Sequence, residues 1–303
     1  MMSLVGRTSS SFNLQQAQEW LQGNQTKLNK LQEKTSTGQN VNRPSDDPLA
    51  LADLLNVNRS INHNDQFIKN IDVGLAELQS TDTATGQVVD IINRATALAT
   101  QGANVTTGLG GMQSISKEID LLTNQLVQLG NSSLNGVYVF AGTKTNQPPF
   151  TRTADVVTYT GTPQADAYQR EIDIDNTTPV TINISGDRLL GTTTSGLMKV
   201  MIDLKNNLAA GDTAATRARL DELKTQLEGA LSVQSEIGAN INRLESTKER
   251  TQNSQDNFSQ LYASIQNVDM AKSITDLRFQ EQVQQASLSV LGKVLPKSLL
   301  DFI

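Results

Sequence analysis

The 303-residue chain reads as a mainly α protein: a long helical bundle, coiled-coil in character, formed by its N- and C-terminal segments, with a small β domain inserted between them. Three observations predict this. Apolar residues recur at alternating spacings of three and four at both ends of the chain, the seam of helices that pack lengthwise. In the middle that period vanishes and β-branched residues alternate at period two, the pattern of strands. Aromatic residues are few, with 7 Phe, 4 Tyr and 1 Trp. Narrow seams of Leu, Ile, Val and Ala therefore account for the core better than a large aromatic one.

The N-terminal stripe is Leu14, Ala17, Leu21, Asn24, Leu28 and Leu31. Asn24 lies inside the seam, where a polar residue costs stability but fixes register and partner number. The C-terminal stripe is Ile274, Leu277, Leu288, Leu291 and Leu295, widened by Val283, Ala286, Val290 and Val294, and Pro296 ends or kinks it. Inward lie three more stripes. Ile71, Leu75, Leu78, Asp82, Thr85, Val89, Ile92, Thr96 and Ala99 keep the spacing with polar gaps, and Met112, Ile115, Ile119, Leu122, Leu126 and Leu129 keep it without one. Leu220, Leu223, Leu227, Ala230, Gln234, Ile237, Ile241 and Leu244 form the third, continued by Phe258, Leu261, Ile265 and Val268. Between these, Val137–Phe140, Val156–Thr160, Arg170–Asp175 and Val180–Ile184 are strand-like. The expected domains are 1–45 with 270–303 as a terminal coiled coil, 46–142 with 196–269 as a helical bundle, and 143–195 as the β insertion. Since the helical stripes lie outside residues 145–190, removal of that span is expected to leave the bundle folded.

Composition removes several function classes. With no Cys there is no disulfide frame, thiolate metal site or thiol nucleophile. A single histidine, His63, leaves no His cluster for zinc and little room for a Ser-His-Asp triad. Net charge is −6 with no long basic run, which disfavours nucleic acid as a partner. No apolar run approaches 18 residues, so membrane insertion is not expected, and the N-terminus has no apolar core of a secretory signal. The first 45 residues carry +3 and the last 34 carry +1, leaving an acidic body. The chain holds 25 Asn, 27 Gln, 24 Ser and 31 Thr, about a third of its length, so its surface is polar more than charged.

Arg43-Pro44-Ser45-Asp46-Asp47-Pro48 is the most distinctive local segment. Ser45 or an Asp at the N-cap with Pro48 near the first helical position makes a strong helix start, and Pro44 keeps Arg43 extended. Adjacent carboxylates at a helix start do not converge on one site, so Asp46 and Asp47 are read as capping residues, not as an acid/base or metal pair. Gly108-Leu109-Gly110-Gly111 lacks the Lys-Ser/Thr ending and the preceding strand of a phosphate loop; it reads as an interhelical turn. Lys144 and Lys205 lack a constellation that would make either a nucleophile. No cofactor, metal site or enzyme emerges, and an enzyme or receptor on a helical bundle is the disfavoured class.

Several segments, in order, carry a family resemblance. They are Ser36-Thr37-Gly38 through Asn42 and Arg43 to Pro48, Asn70-Ile71-Asp72, Ile92-Asn93-Arg94, and Leu98-Ala99 to Ala103-Asn104. Then follow Asn135-Gly136-Val137-Tyr138-Val139-Phe140-Ala141-Gly142-Thr143, Pro149-Phe150, Ile237-Gly238-Ala239-Asn240-Ile241-Asn242-Arg243-Leu244, and Asp256-Asn257 to Val268-Asp269. Together they resemble the flagellin-type axial proteins of bacterial flagella, closer to the hook-associated junction members than to flagellin. Gly110-Gly111 and Thr96-Ala97 depart from the family pattern. The resemblance implies a structural adaptor joining hook to filament, with a filament-forming flagellin as the alternative. It implies terminal helices in an inner tube, and Arg94 at an inter-subunit contact. It further implies partners: an adjacent hook-associated protein, flagellin or filament cap, copies of itself in a ring, and a cytosolic export chaperone on the C-terminal helix. Type III export to the extracellular flagellum is implied as well.

Overall fold

The computed structural model describes residues 4–163, 170–175 and 179–294. The chain runs α1 (Leu4–Thr37), α2 (Pro48–Gly102), a 3-10 turn at Val105–Thr107, then α3 (Gly108–Gly130). Three short hairpins follow: β1 (Ser133–Leu134) with β2 (Val137–Tyr138), β3 (Phe150–Thr153) with β4 (Val156–Tyr159), and β5 (Glu171–Asp173) with β6 (Pro179–Thr181). Each is antiparallel. α4 (Gly186–Leu189), α5 (Gly196–Ala210), α6 (Thr213–Gln266) and α7 (Met270–Val294) complete the described chain. It divides into two compact units, residues 1–62 with 255–303 and residues 63–254.

The larger unit, residues 63–254, is built on strict seven-residue columns. On α2, Ile71, Leu78, Thr85, Ile92 and Ala99 are buried, and on α6 so are Thr216, Leu223, Ala230, Ile237, Leu244 and Thr251. Seven residues make nearly two turns, so each column lies on one face. The second column on α2 differs from the sequence reading. Leu75, Asp82, Val89 and Thr96 are only half-buried, whereas Gly74, Thr81, Val88, Ala95 and Gly102 are buried. Small residues let neighbours come close: a Cβ on Gly74 would sit 2.5 Å from Ile172 Cδ1. Thr81 and Thr85 keep their buried hydroxyls satisfied by donating to the Glu77 and Thr81 carbonyls at 2.8 Å.

Two segments differ from the sequence reading, one read as an interhelical turn and one as the continuation of a helical stripe. Gly108 opens α3 with φ +65°, and Leu109, Gly110 and Gly111 belong to its first turn; the turn between α2 and α3 is residues 103–107, upstream of that run. α6 ends at Gln266, and Val268 leaves the helix to donate its N–H to the Gly38 carbonyl at 3.0 Å.

The β segment shares the core of this unit. Phe150, Val157, Ile174, Val180, Ile184 and Leu190 are buried in the same apolar cluster as Ile92, Ile119 and Leu204. Fully burying one such side chain stabilises by about 1.5–3 kcal/mol. β3 and β1 escaped the sequence reading because they are short and half polar. Phe150 stacks at 5.0 Å on Tyr159, whose hydroxyl donates to the Phe140 carbonyl at 2.8 Å. Burial pushes the Tyr159 phenol above its ordinary value. Asn135 and Gly136, with φ 53° and 80°, form the two-residue turn between β1 and β2, where Asn-Gly is the favoured pair.

Candidate functional site

In the smaller unit α1 and α7 pack side by side. The polar contacts fix their sense: Thr35 meets Ser273, while Asn24 meets Gln280 and Ser287. Rising numbers on one helix match falling numbers on the other, so the pair is antiparallel.

α1 turns Ala17, Leu21, Asn24, Leu28, Leu31 and Thr35 inward, with Leu28 the most buried of them. The backbone of Leu14 lies on α1; Leu295 lies outside the described residues. α7 departs from its sequence stripe. Its inward positions are Ser273, Leu277, Gln280, Gln284, Ser287 and Leu291, whereas Ile274 and Leu288 are exposed. The inward columns again step by seven, but four of these six positions are polar. A search for apolar periodicity passes over them; the regular spacing of Ser273, Gln280 and Ser287 was the available signal.

These polar residues bond across the seam. Thr35 and Ser273 hydroxyls lie 2.8 Å apart, Asn24 Nδ2 donates to Ser287 Oγ at 3.2 Å, and Gln284 Nε2 donates to Gln25 Oε1 at 3.0 Å. Gln280 Nε2 reaches the Asn24 carbonyl at 3.3 Å and its side-chain oxygen at 3.4 Å. Large apolar side chains are left outside: Trp20 is 66% exposed, Phe279 65% and Val290 59%. Ala17, Trp20 and Leu21 of α1 with Val283, Ala286 and Val290 of α7 line an open groove of about 500 Å³. The helical pair thus has a mixed seam, half of its inward positions polar, and an apolar flank.

The helix-start motif lies in the same unit. Asp47 Oδ1 accepts the N–H groups of Leu49 and Ala50 at 3.1 and 3.0 Å, making Asp47 the N-cap and Pro48 the first helical residue. Asp46 faces the other way, 3.0 Å from Lys30 Nζ on α1, and accepts the Arg43 N–H at 3.1 Å. The hydrogen bond from Lys30 holds its carboxyl below the ordinary range. Arg43 pairs with Glu33 at 3.3 Å, while Pro44 and Ser45 are exposed between them. The two carboxylates therefore bind different partners and do not form a joint site. Beside them, residues 39 and 267 form a single antiparallel bridge, and Gln266 donates its side-chain N–H to the Val41 carbonyl at 3.2 Å.

In the larger unit Arg94 on α2 is paired with Glu118 on α3 at 2.5 Å, a tie within the chain that leaves the guanidinium exposed. His63 stacks loosely on Phe67 with ring centroids 6.3 Å apart. Glu77, nearly buried, takes a two-pronged contact from Arg170 at 2.5 and 2.9 Å. Burial raises its carboxyl above the ordinary range, against the pull of Arg170. Among the described residues no three His, Cys, Asp or Glu side chains are grouped to hold a metal ion, and no helix is long and apolar enough to cross a membrane.

Antiparallel terminal helices with an apolar flank, bracketing in sequence a helical body with short β hairpins, define a class of mainly helical proteins built on paired ends. The bacterial flagellin N-terminal helical region matches residues 9–145 and the C-terminal helical region matches residues 220–303. Those matches cover well over half of the chain, which belongs to the bacterial flagellin family. Flagellar hook-associated protein 3 of Escherichia coli K12 is 26% identical over 305 residues, spanning 93% of this chain and 94% of that protein. Flagellin of Bacillus subtilis is 26% identical over 288 residues, spanning 90% and 91%. Among solved structures, a flagellar hook-associated protein from Vibrio parahaemolyticus has a TM-score of 0.65 at 19% identity, covering 73% of this chain and all of that one. Hook-associated protein 3 from Legionella pneumophila has a TM-score of 0.61 at 16% identity, covering 69% and 98%. These structures share the fold.

Proposed function

We propose that this chain is a structural subunit of the bacterial flagellum that joins the hook to the filament, and that it acts without catalysis. The observation that carries the reading is the paired terminal helices whose large apolar side chains, Trp20, Phe279 and Val290 among them, face outward. A helical pair with a mixed seam and an apolar flank is completed by further helices. In the flagellum those belong to other axial subunits: further copies in a ring, an adjacent hook-associated protein, and flagellin or the filament cap. The near full-length likeness to hook-associated protein 3 supports the junction over other positions on the axis.

On this reading residues 1–45 and 270–303 form the inner tube, residues 46–142 and 196–269 a helical bundle, and residues 143–195 the β insertion that packs on it. The seam Ala17, Leu21, Asn24, Leu28, Leu31, Leu277 and Leu291 holds the pair. Ile274 and Leu288 serve neighbours. Arg94 contacts an adjacent subunit from its exposed face. The chain leaves the cell through the flagellar export channel without cleavage, escorted by a chaperone on the C-terminal helix.

The flagellin likeness, 26% identical over nearly the whole chain, supports a second reading as a filament-building subunit. A deletion strain separates the two. Loss of the junction subunit leaves hooks without filaments while filament protein is exported into the medium; loss of a flagellin removes the filament protein itself. Sheared filaments rich in this chain would overturn the junction reading.

A further inference from the structure

The turn between β1 and β2 holds the one Asn-Gly step in the chain, Asn135-Gly136. Such a step can react with itself. The backbone nitrogen of Gly136 attacks Asn135 Cγ and a C–N bond forms. The side-chain nitrogen leaves as ammonia, taking the proton that the backbone nitrogen loses. Water then opens the five-membered succinimide to aspartate or isoaspartate. Glycine favours the attack, because no side chain hinders its nitrogen and its backbone turns freely. Here both residues are exposed, and nothing lies within 4 Å of the place a Gly136 Cβ would take. The chain also has two Asn-Ser steps, where the following residue is again small. Asn253 lies inside α6, whose hydrogen-bonded backbone fixes its rotation. Asn131 is clasped at both atoms of its amide: Nδ2 donates to the Phe150 carbonyl at 2.8 Å, and Oδ1 accepts the Phe150 N–H at 2.9 Å.

The turn itself resists the reaction. Positive φ at both residues, 53° and 80°, is the type I′ arrangement. In it the rotation about the Asn135 Cα–C bond holds the side chain away from the Gly136 nitrogen, so the reacting atoms are not in attacking position. That rotation is freed only when the hairpin opens. Its pairing is short, Ser133 with Tyr138 and Leu134 with Val137, and a two-stranded hairpin is marginal on its own. From this geometry we infer that Asn135 is a deamidation site gated by the β1–β2 hairpin. Conversion runs one way, since the ammonia is lost. Isoaspartate adds a carbon to the backbone of a turn whose register allows two residues, so the hairpin does not re-form around it. Either product also sets a carboxylate on the wall of a cavity of about 320 Å³ that Asn135 shares with Asp72, Glu77 and Arg170. There it competes for the guanidinium that holds Glu77.

Peptide mapping by mass spectrometry, on full-length protein held at mildly alkaline pH, tests this. An isoaspartate-specific methyltransferase marks that product. Residue 135 should be the first asparagine to convert in the native chain. Its conversion should run about tenfold or more faster in urea, where the hairpin is gone. Leu134→Ala with Val137→Ala trims the half-buried pair beside the turn. That variant should convert faster than the parent under native conditions, with its helical circular dichroism retained. Asn135→Gln should keep its amide over the same interval. Chains carrying isoaspartate should melt lower than Asn135→Asp, which keeps the backbone length of the turn. The inference is overturned if another asparagine converts first in the native chain, if native and urea rates agree, or if the folded alanine variant converts no faster than the parent.

Discussion

Asp47 and Asp46 show how two neighbouring carboxylates can do separate work. Because Asp47 alone caps α2, Asp47→Ala should lower stability by about 1 kcal/mol and Asp47→Asn should be close to neutral, as read by urea unfolding. Asp46→Asn loses the charge partner of Lys30 and little else. A stable Asp47→Asn chain that had lost all function would contradict the capping role. Glu77 gives a pH dependence of definite sign. Its folded value is raised by burial, so the stability it contributes is full below the ordinary carboxylate range and declines as pH rises through the raised folded value. Glu77→Gln should therefore flatten the stability profile between acid and neutral pH. A parent profile that climbs over that interval while Glu77→Gln does not would reverse the sign and refute the burial argument.

At the scale of elements, close approach is the recurring device. Gly130 ends α3 where a Cβ would lie 2.5 Å from the Phe150 ring and 2.8 Å from Leu190. Gly130→Ala should cost about 1–3 kcal/mol through overpacking, seen as a lower midpoint in thermal melts of the full chain. Ala154 is the opposite case: it holds φ +56° in the exposed turn between β3 and β4. There glycine relieves backbone strain at some entropic cost, so Ala154→Gly should stabilise by about 0.5 kcal/mol.

Element-level legibility follows the same physics. The α1 seam and one column of α2 were readable because leucines and isoleucines repeat on a single face. The second α2 column was not, because Gly74, Thr81 and Ala95 are buried for their small size and not for hydrophobicity. On α7 the apolar pattern was split: Leu277 and Leu291 face the partner helix, whereas Ile274 and Leu288 are exposed. Ser273, Gln280, Gln284 and Ser287 carry no apolar signal, and their role exists only through the residues opposite them.

For the whole molecule, the β segment and the helices share one core, since Phe150, Ile174, Val180 and Leu190 are buried in the cluster with α2, α3 and α5 residues. The sequence stripes lie outside residues 145–190 and suggested that this span could be excised without harm. The shared core argues otherwise: replacing it with a short Gly/Ser link should uncover that cluster and lower the unfolding midpoint sharply, as seen in a thermal melt. The terminal pair behaves differently. Its mixed seam and open flank predict fast amide exchange for residues 14–31 and 274–294 in dilute monomer, slower exchange for α2, α3 and α5 in the larger unit, and protection of the ends on assembly.

If the chain acts as proposed, the outward apolar flank of α1 and α7 serves assembly and not the fold of the chain. Phe279→Gln with Val290→Gln, both side chains exposed in the monomer, tests it in a strain lacking the native copy. The variant should be exported and melt as the parent does, yet electron micrographs should show hooks without filaments. Filaments of normal number and length on those hooks would contradict the account.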